Sequence, residues 1–332
     1  MDSVMNENKI GRRGFLQGAG TAVFAAVGAV QSVRSLGQTV VPNSSGTDAP
    51  RMRVPSNACD CHQHIHDSRF PLSRSGSRVV PNARVEDYRR LKQRLGITRS
   101  VIVTPAAYPA SVPDNRVTLD ALAQFGADAR GVVIVAPGIT DAELKTLADG
   151  GFRGIRFSLA SPNAVPPPLS AELMNEIEVL SRRVNTVGWH VQFNVTADQI
   201  IAAGDLWRRL PSPIVFDHMG HMPQPTGTGH PAFMVIRRLL DSGKVWVKLS
   251  VTYDSSKVGP PTYADVNRVG RAYVQAAPER LVWGSNWPHP NEPDKPNDAA
   301  LLDLLMDWAP NETTRRRVLV ENPEALYGFA KS

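Results

Sequence analysis

The sequence predicts an α/β fold: eight strand–helix units closing into a single-domain (β/α)8 barrel of the TIM type, preceded by an N-terminal export signal. Three observations predict it. From Asn57 onward, short runs rich in Val, Ile and Phe alternate, eight times over, with amphipathic stretches of helical length. The runs carry apolar residues on both faces, as parallel strands covered from both sides require. The chain has 332 residues, and a barrel of this kind takes about 250. An open doubly wound sheet is the alternative, but no Gly-rich phosphate loop follows any of the runs.

The strands are expected over 58–65, 100–105, 131–136, 154–159, 189–195, 214–218, 245–250 and 281–284. Val101, Ile102 and Val103 make the second, which Pro105 stops; Val132, Val133, Ile134 and Val135 make the third. Ile155 and Phe157 mark the fourth, and Val191, Phe193 and Val195 the fifth. Ile214-Val215-Phe216, Val245-Trp246-Val247 and Leu281-Val282-Trp283 supply the rest. Helical periodicity is expected over 85–95, 171–187 and 231–240. Leu95-Gly96 ends one helix at the residue type that tolerates a left-handed turn, and Thr140-Asp141 opens another with a capping hydroxyl.

Composition excludes several classes. Hydrophobic residues are 42% and charged residues 20%, which rules out disorder. The net charge is +6; the first 37 residues hold Lys9, Arg12, Arg13 and Arg34 against Asp2 and Glu7, leaving +4 scattered over the remainder. With no basic run, no nucleic-acid partner is expected, whereas an anionic small molecule fits. Cys59 and Cys61 are too few for a disulfide scaffold or a four-cysteine zinc site and are expected as buried thiols. Near the N-terminus, Arg12-Arg13 precede Phe15-Leu16 and a weakly apolar run over 18–30. As a helix that run spans about 20 Å, short of the ~30 Å hydrocarbon core, so no stable membrane insertion is expected. Residues 1–37 read as an export signal. The pattern resembles the twin-arginine signal, which implies the twin-arginine export machinery as a partner and a periplasmic location. Residues 38–55 are expected as a flexible lead-in and 56–332 as the barrel.

Reactive groups of such barrels gather at the C-terminal ends of the strands, and here those ends are the polar part of each unit. The first ends Asp60-Cys61-His62-Gln63-His64-Ile65-His66. With a side-chain period of two, Asp60, His62 and His64 are expected to face inward, and Cys59, Cys61 and Gln63 to face the helices. The fourth ends Arg156-Phe157-Ser158 and the sixth Asp217-His218-Met219-Gly220-His221. The seventh ends Lys248-Leu249-Ser250, with Tyr253 following, and the eighth Gly284-Ser285-Asn286-Trp287-Pro288-His289. Imidazoles are costly to bury without partners, so His62, His64 and His218 are the expected catalytic groups, with Asn286. Arg156 is expected to clamp a carboxylate or sulfonate in its planar fork. Ser158, Lys248, Tyr253, Tyr108 and His289 are the further expected substrate contacts, and Trp287 a wall of the site. His190, at a strand start, is expected to be structural, and His230, before Pro231, exposed.

Asp60-x-His62-x-His64, Asp217-His218-Met219-Gly220 and the stretch from Trp283 to His289 together resemble the amidohydrolase superfamily. Within it they resemble the branch of 2-pyrone-4,6-dicarboxylate hydrolase, 4-sulfomuconolactone hydrolase and galactarolactone isomerase. The resemblance runs from about residue 55 to 330 and includes Val85-Glu86-Asp87-Tyr88, Val247-Lys248-Leu249-Ser250 and Glu321-Asn322-Pro323. It implies small lactones carrying acidic groups as substrates, and a branch that commonly works without the superfamily's metal pair. The superfamily's strand-four lysine, strand-five histidine and strand-eight aspartate are absent; Arg156, a strand ending Gln192-Phe193-Asn194, and Asn286 stand there instead. A binuclear site therefore lacks its bridge and two ligands. Either no cofactor is required, or His62, His64 and His218 hold a single divalent metal, zinc, with water as the fourth ligand.

In the hydrolase that the resemblance implies, a strand-eight carboxylate deprotonates the attacking water. An amide cannot take that proton, so Asn286 orients water or substrate, and His218, His64 or His289 would substitute as base. The expected function is hydrolysis of a small anionic lactone of aromatic breakdown, of the 4-sulfomuconolactone or 2-pyrone-4,6-dicarboxylate type. A lactone isomerase of sugar diacids and a non-catalytic exported binding protein are the alternatives. A monomer or small homo-oligomer suits each.

Overall fold

A computed structural model describes residues 40–70, 82–105, 114–160, 166 and 168–332. The expected export signal and Tyr108 lie outside the described residues. Eight strands follow one another around a parallel sheet in chain order: β1 Cys59–Gln63, β2 Arg99–Val103, β3 Ala129–Val133, β4 Phe152–Ser158, β5 His190–Asn194, β6 Ile214–Phe216, β7 Val245–Leu249 and β8 Leu281–Trp283. All eight expected strands form and each ends earlier than expected, while β2, β3 and β4 begin one or two residues sooner. The chain after β8 returns to β1: Asn286 N donates to His62 O at 2.7 Å, and His64 N to Trp287 O at 2.8 Å. At Gly284 a Cβ would lie 2.6 Å from His62 Cβ, so only glycine lets the first strand approach this closely.

The helices are α1 Val85–Leu95, α2 Arg116–Phe125, α3 Asp141–Asp149, α4 Ala171–Asn185, α5 Ala197–Ala202, α6 Gly204–Arg209, α7 Pro231–Leu240, α8 Thr252–Ser255, α9 Ala264–Ala276, α10 Asp298–Trp308, α11 Glu312–Arg316 and α12 Asn322–Tyr327. Gly96 ends α1 in the left-handed conformation, and the Thr140 hydroxyl caps α3 by accepting from Glu143 N. His230 is half-buried rather than exposed, because its ring caps α7 by accepting from Ala232 N. Among the described residues no helix is long and apolar enough to cross a membrane.

Two packing layers follow from the two strand faces. Ile102, Ile155, Val191, Phe193, Ile214, Val247 and Trp283 join the helices in the main core. Cys59, Cys61, Val101, Val103, Val132, Val215, Trp246 and Val282 form a second cluster, closed by Tyr327 and Phe329. These residues come from six strands, and side chains of six strands meet only inside the ring. The inward face of β1 therefore differs from the alternation expected. Its register with β2 shifts between Asp60 and Gln63, an irregularity that breaks the period of two. Cys59 and Cys61 point into the barrel, and so does His62. Asp60 points out, accepting from the Tyr88 hydroxyl of α1 at 2.9 Å and from Ser285 N and Oγ at 2.9 and 2.5 Å. Burial pushes the Asp60 carboxyl up to about 6, against those hydrogen bonds.

Two further expectations change for the same reason, that the outer layer is thicker than the sequence suggests. Trp287 is not a wall of the site: its ring packs 5.5 Å from that of Tyr88, and its Nε1 donates to Pro42 O at 2.8 Å. Residues 40–55 are not a loose lead-in. Val41 and Met52 are buried, Ser45 N donates to Pro296 O, and Asp303 accepts from Arg51 N and Met52 N, each at 3.0 Å.

Candidate active site

Asp217, just past β6, is the hub of the polar ends. Its Oδ2 accepts from Arg156 Nε of β4 and Gln192 Nε2 of β5, both at 3.0 Å. Its Oδ1 lies 3.3 Å from His62 Nδ1 and 3.5 Å from Lys248 Nζ of β7. Burial alone would raise this carboxyl; His62, Lys248 and Arg156 outweigh it and hold the group well below the usual carboxylate range. Lys248 is fully buried and meets three acceptors: Gln192 Oε1 at 2.7 Å, His62 Nδ1 at 3.2 Å and Asp217 Oδ1. Fully buried among these groups, Lys248 is turned inward and does not reach toward a substrate. It positions His62 and Asp217 instead.

The three imidazoles are neutral near pH 7. Burial pushes His62 down to about 3, helped by Lys248, and holds His64 and His218 well below their ordinary value. Each neutral ring has one N–H, and the partners decide where it sits. His64 Nδ1 donates to Val103 O at 2.8 Å, which leaves its Nε2 as a lone pair. His62 Nε2 lies 3.2 Å from that lone pair and donates to it. His62 Nδ1 then accepts from Lys248. Both rings have spent their protons inside the protein, so neither offers a free N–H to a substrate. His218 differs. Its Nδ1 pairs with Ser250 Oγ at 2.9 Å, and Nε2 enters none of the hydrogen bonds among the described residues. Its ring lies 4.8 Å from that of His62.

The turn that presents His218 is strained. His218, Met219, Gly220 and His221 all have positive φ, at 54°, 53°, 68° and 48°, a conformation that costs a non-glycine residue about 1–2 kcal/mol. It brings the rings of His218 and His221 to 5.2 Å. His221 Nε2 meets Asn194 Oδ1 at 2.7 Å and its Nδ1 meets Asp254 Oδ2 at 3.1 Å. Asn194 in turn donates to Ser158 Oγ at 3.0 Å, so Ser158 sits on the inward edge of β4 as its parity with Arg156 predicts.

After β8 a second array forms. Asn286 Nδ2 donates to the Tyr253 hydroxyl at 2.8 Å, and that hydroxyl lies 2.9 Å from His289 Nδ1. His289 Nε2 faces both oxygens of Asp298, at 3.2 Å each. His289 and Asp298 are fully buried. Both ring nitrogens of His289 are engaged, so it is not a substrate contact.

The described residues that could hold a metal are His62, Asp217 and His218, whose ligand atoms lie within 4.8 Å of one another; Asp217 takes the place expected for His64. The arrangement does not fit a divalent ion. The Lys248 ammonium stands against both His62 Nδ1 and Asp217 Oδ1, and with Arg156 it already sets two cations beside one carboxylate. A metal bridging those atoms would meet the ammonium at close range.

Asp217 and Ser250 stood in strand-end motifs, and Gln192 ended a strand. Their function as partners of Arg156, Lys248 and His218 emerges only from the closure of the ring. Asp298 carried no signal, since it opens α10 well after the last strand.

The chain is similar to known proteins over nearly the whole barrel. A profile of the amidohydrolase family matches residues 59–329. The chain is 34% identical over 293 residues to D-galactarolactone isomerase of Agrobacterium fabrum, covering 87% of this chain and 96% of that one. It is 32% identical over 289 residues to 2-pyrone-4,6-dicarboxylate hydrolase of Comamonas testosteroni, covering 84% and 92%. A crystal structure from Agrobacterium tumefaciens superposes with a TM-score of 0.76 at 33% identity, over 85% of this chain and all of that one. A barrel whose strand ends carry this set, matched over nearly its full length, assigns the chain to the amidohydrolase family.

Proposed function

We propose that this chain acts on small anionic lactones, and that it hydrolyses the ring ester of a compound of the 4-sulfomuconolactone or 2-pyrone-4,6-dicarboxylate type. The observation that carries the reading is His218: a neutral imidazole with Nε2 open, beside a guanidinium. When Ser250 donates to Nδ1, the single ring proton sits on Nε2 and polarises the ring carbonyl, then holds the oxyanion. One such donor is worth about 3–4 kcal/mol. Arg156 is held by Asp217, and its charge bears on His62, His64 and His218 alike; it draws the substrate's acid group to the same place. Asn286 orients the attacking oxygen.

Ring opening creates a new acid, so a pH-indicator assay tests the reading directly. Purified protein is offered 4-sulfomuconolactone, 2-pyrone-4,6-dicarboxylate and D-galactarolactone, with and without chelator. Proton release, unchanged by chelation and lost about 10²- to 10³-fold in His218→Ala, is the expected result. Conversion without proton release selects the second reading, lactone isomerisation, which Asn286 favours because an amide is no base for water. Binding without turnover defeats both. The proposal includes export: residues 1–37 fused to a folded reporter carry it to the periplasm, and replacing Arg12 and Arg13 by lysine keeps it inside.

A further inference from the structure

Acyl transfer to water or to a hydroxyl needs a group that takes the nucleophile's proton, and Asn286 cannot. Asp217 is fully buried, paired with the Arg156 and Lys248 cations and held well below the usual carboxylate range, and His218 is spent on the carbonyl. One hydrogen-bonded chain remains beside Asn286. Asp298 faces His289 Nε2 with both oxygens and fixes the ring proton there. His289 Nδ1 is then a lone pair, aimed at the Tyr253 hydroxyl 2.9 Å away. The Tyr253 oxygen accepts from Asn286 Nδ2, and a hydroxyl has a second acceptor position. Tyr253 is half-buried whereas His289 and Asp298 are sealed, so of these three residues only Tyr253 reaches the surface. Asn286 N is bonded to His62 O, which places that end beside the histidine of β1.

We infer that Tyr253, backed by His289 and Asp298, is the proton acceptor for the attacking oxygen. The inference rests on the lactone reading above. As the nucleophile's oxygen bonds to the ring carbonyl carbon, its proton passes to the Tyr253 oxygen while the phenolic proton moves to His289 Nδ1. The carbonyl π pair moves onto oxygen, held by His218. His289 becomes an imidazolium paired with Asp298. When the ring C–O bond breaks, the proton returns through Tyr253 to the departing oxygen, and both residues regain their starting state. Burial holds the Tyr253 phenol well above its ordinary value, with Asp298, Glu292 and Asp254 adding to it, so a free phenolate is not formed; the two protons move together. Tyr253 is the catalytic residue, and His289 and Asp298 position it.

Tyr253→Phe removes one oxygen and keeps the ring. Asp298→Asn offers His289 Nε2 a donor and moves the ring proton to Nδ1. Each change is expected to lower kcat about 10²- to 10⁴-fold on whichever of the three lactones the wild type converts, with KM held within about threefold. In ¹⁵N-histidine NMR of the whole protein, His289 is expected as the neutral Nε2–H form, turning to Nδ1–H in Asp298→Asn. A variant that keeps more than a third of kcat overturns the relay and leaves the lactone reading standing. If the wild type converts no lactone, the lactone reading falls and the relay is decided by the tautomer alone: Nε2–H sustains it, and Nδ1–H or an imidazolium overturns it.

Discussion

Lys248 has no water to fall back on. Its ammonium is fully buried, burial pushes it down to about 8, and it is hydrogen-bonded to Gln192 and His62 and ion-paired with Asp217. Lys248→Met keeps the stem and removes the charge, leaving Asp217 with one cation and His62 Nδ1 without a donor. Removing one partner of a buried pair costs about 3–5 kcal/mol. Denaturant titration should show that loss; a loss under 1 kcal/mol would mean that Arg156 alone balances the carboxylate. Residues of this kind mark where the sequence is legible. His62, His64, His218 and Arg156 were visible because imidazole and guanidinium are rare at strand ends without a purpose. The roles of Lys248 and His289 were not, because a side chain that serves a substrate and one that serves a neighbour look alike until both partners are placed. Asp298 was invisible because its partner comes from a loop, with no periodicity linking them.

Strands and helices were more legible than the residues on them, because their signals are local. Apolar runs of strand length, Gly96 after α1 and Thr140 before α3 each specify backbone within one turn. What failed is the parity of β1. Alternation assumes an unbroken ladder, and the shift between Asp60 and Gln63 sends Cys61 and His62 the same way. The seam with β8 explains the need: Gly284 lies where any Cβ would meet His62 Cβ at 2.6 Å and His62 N at 3.0 Å. Backbone cannot give as a flexible side chain can. Gly284→Ala should therefore part β1 from the chain after β8, weakening Asn286 N→His62 O and moving His62 off Lys248. We expect about 1–3 kcal/mol of lost stability and at least a tenfold lower kcat on the same protein. Thermal melts and steady-state kinetics check both, and a stable but inactive variant would assign the seam to geometry alone.

At the scale of the molecule, the cost of burying four imidazoles sets the response to acid. His62, His64, His190 and His218 are all held below their ordinary value by burial, His62 and His190 to about 3. Unfolded, each takes up a proton near pH 6.5. A base with a lowered folded pKa contributes stability that is present above the unfolded value and lost as the pH falls below it. Each adds up to about 1.4 kcal/mol per pH unit to the slope. Asp217 acts in the same direction, but only below the ordinary carboxylate range. Asp60 opposes them: its folded pKa is raised to about 6, so its contribution is complete below about pH 4 and is lost as the pH rises through 6. Four imidazoles against one carboxyl leave a net loss of stability from pH 6.5 down toward 4. Denaturant midpoints measured at pH 7, 6 and 5 should fall steadily. His190→Phe, in a ring-shaped space against Gly154, should reduce that slope by about one proton without touching the site residues. A midpoint that is flat from pH 7 to 5 would mean that the barrel admits protons to its interior, and the neutral His218 required for carbonyl polarisation would lose its physical basis.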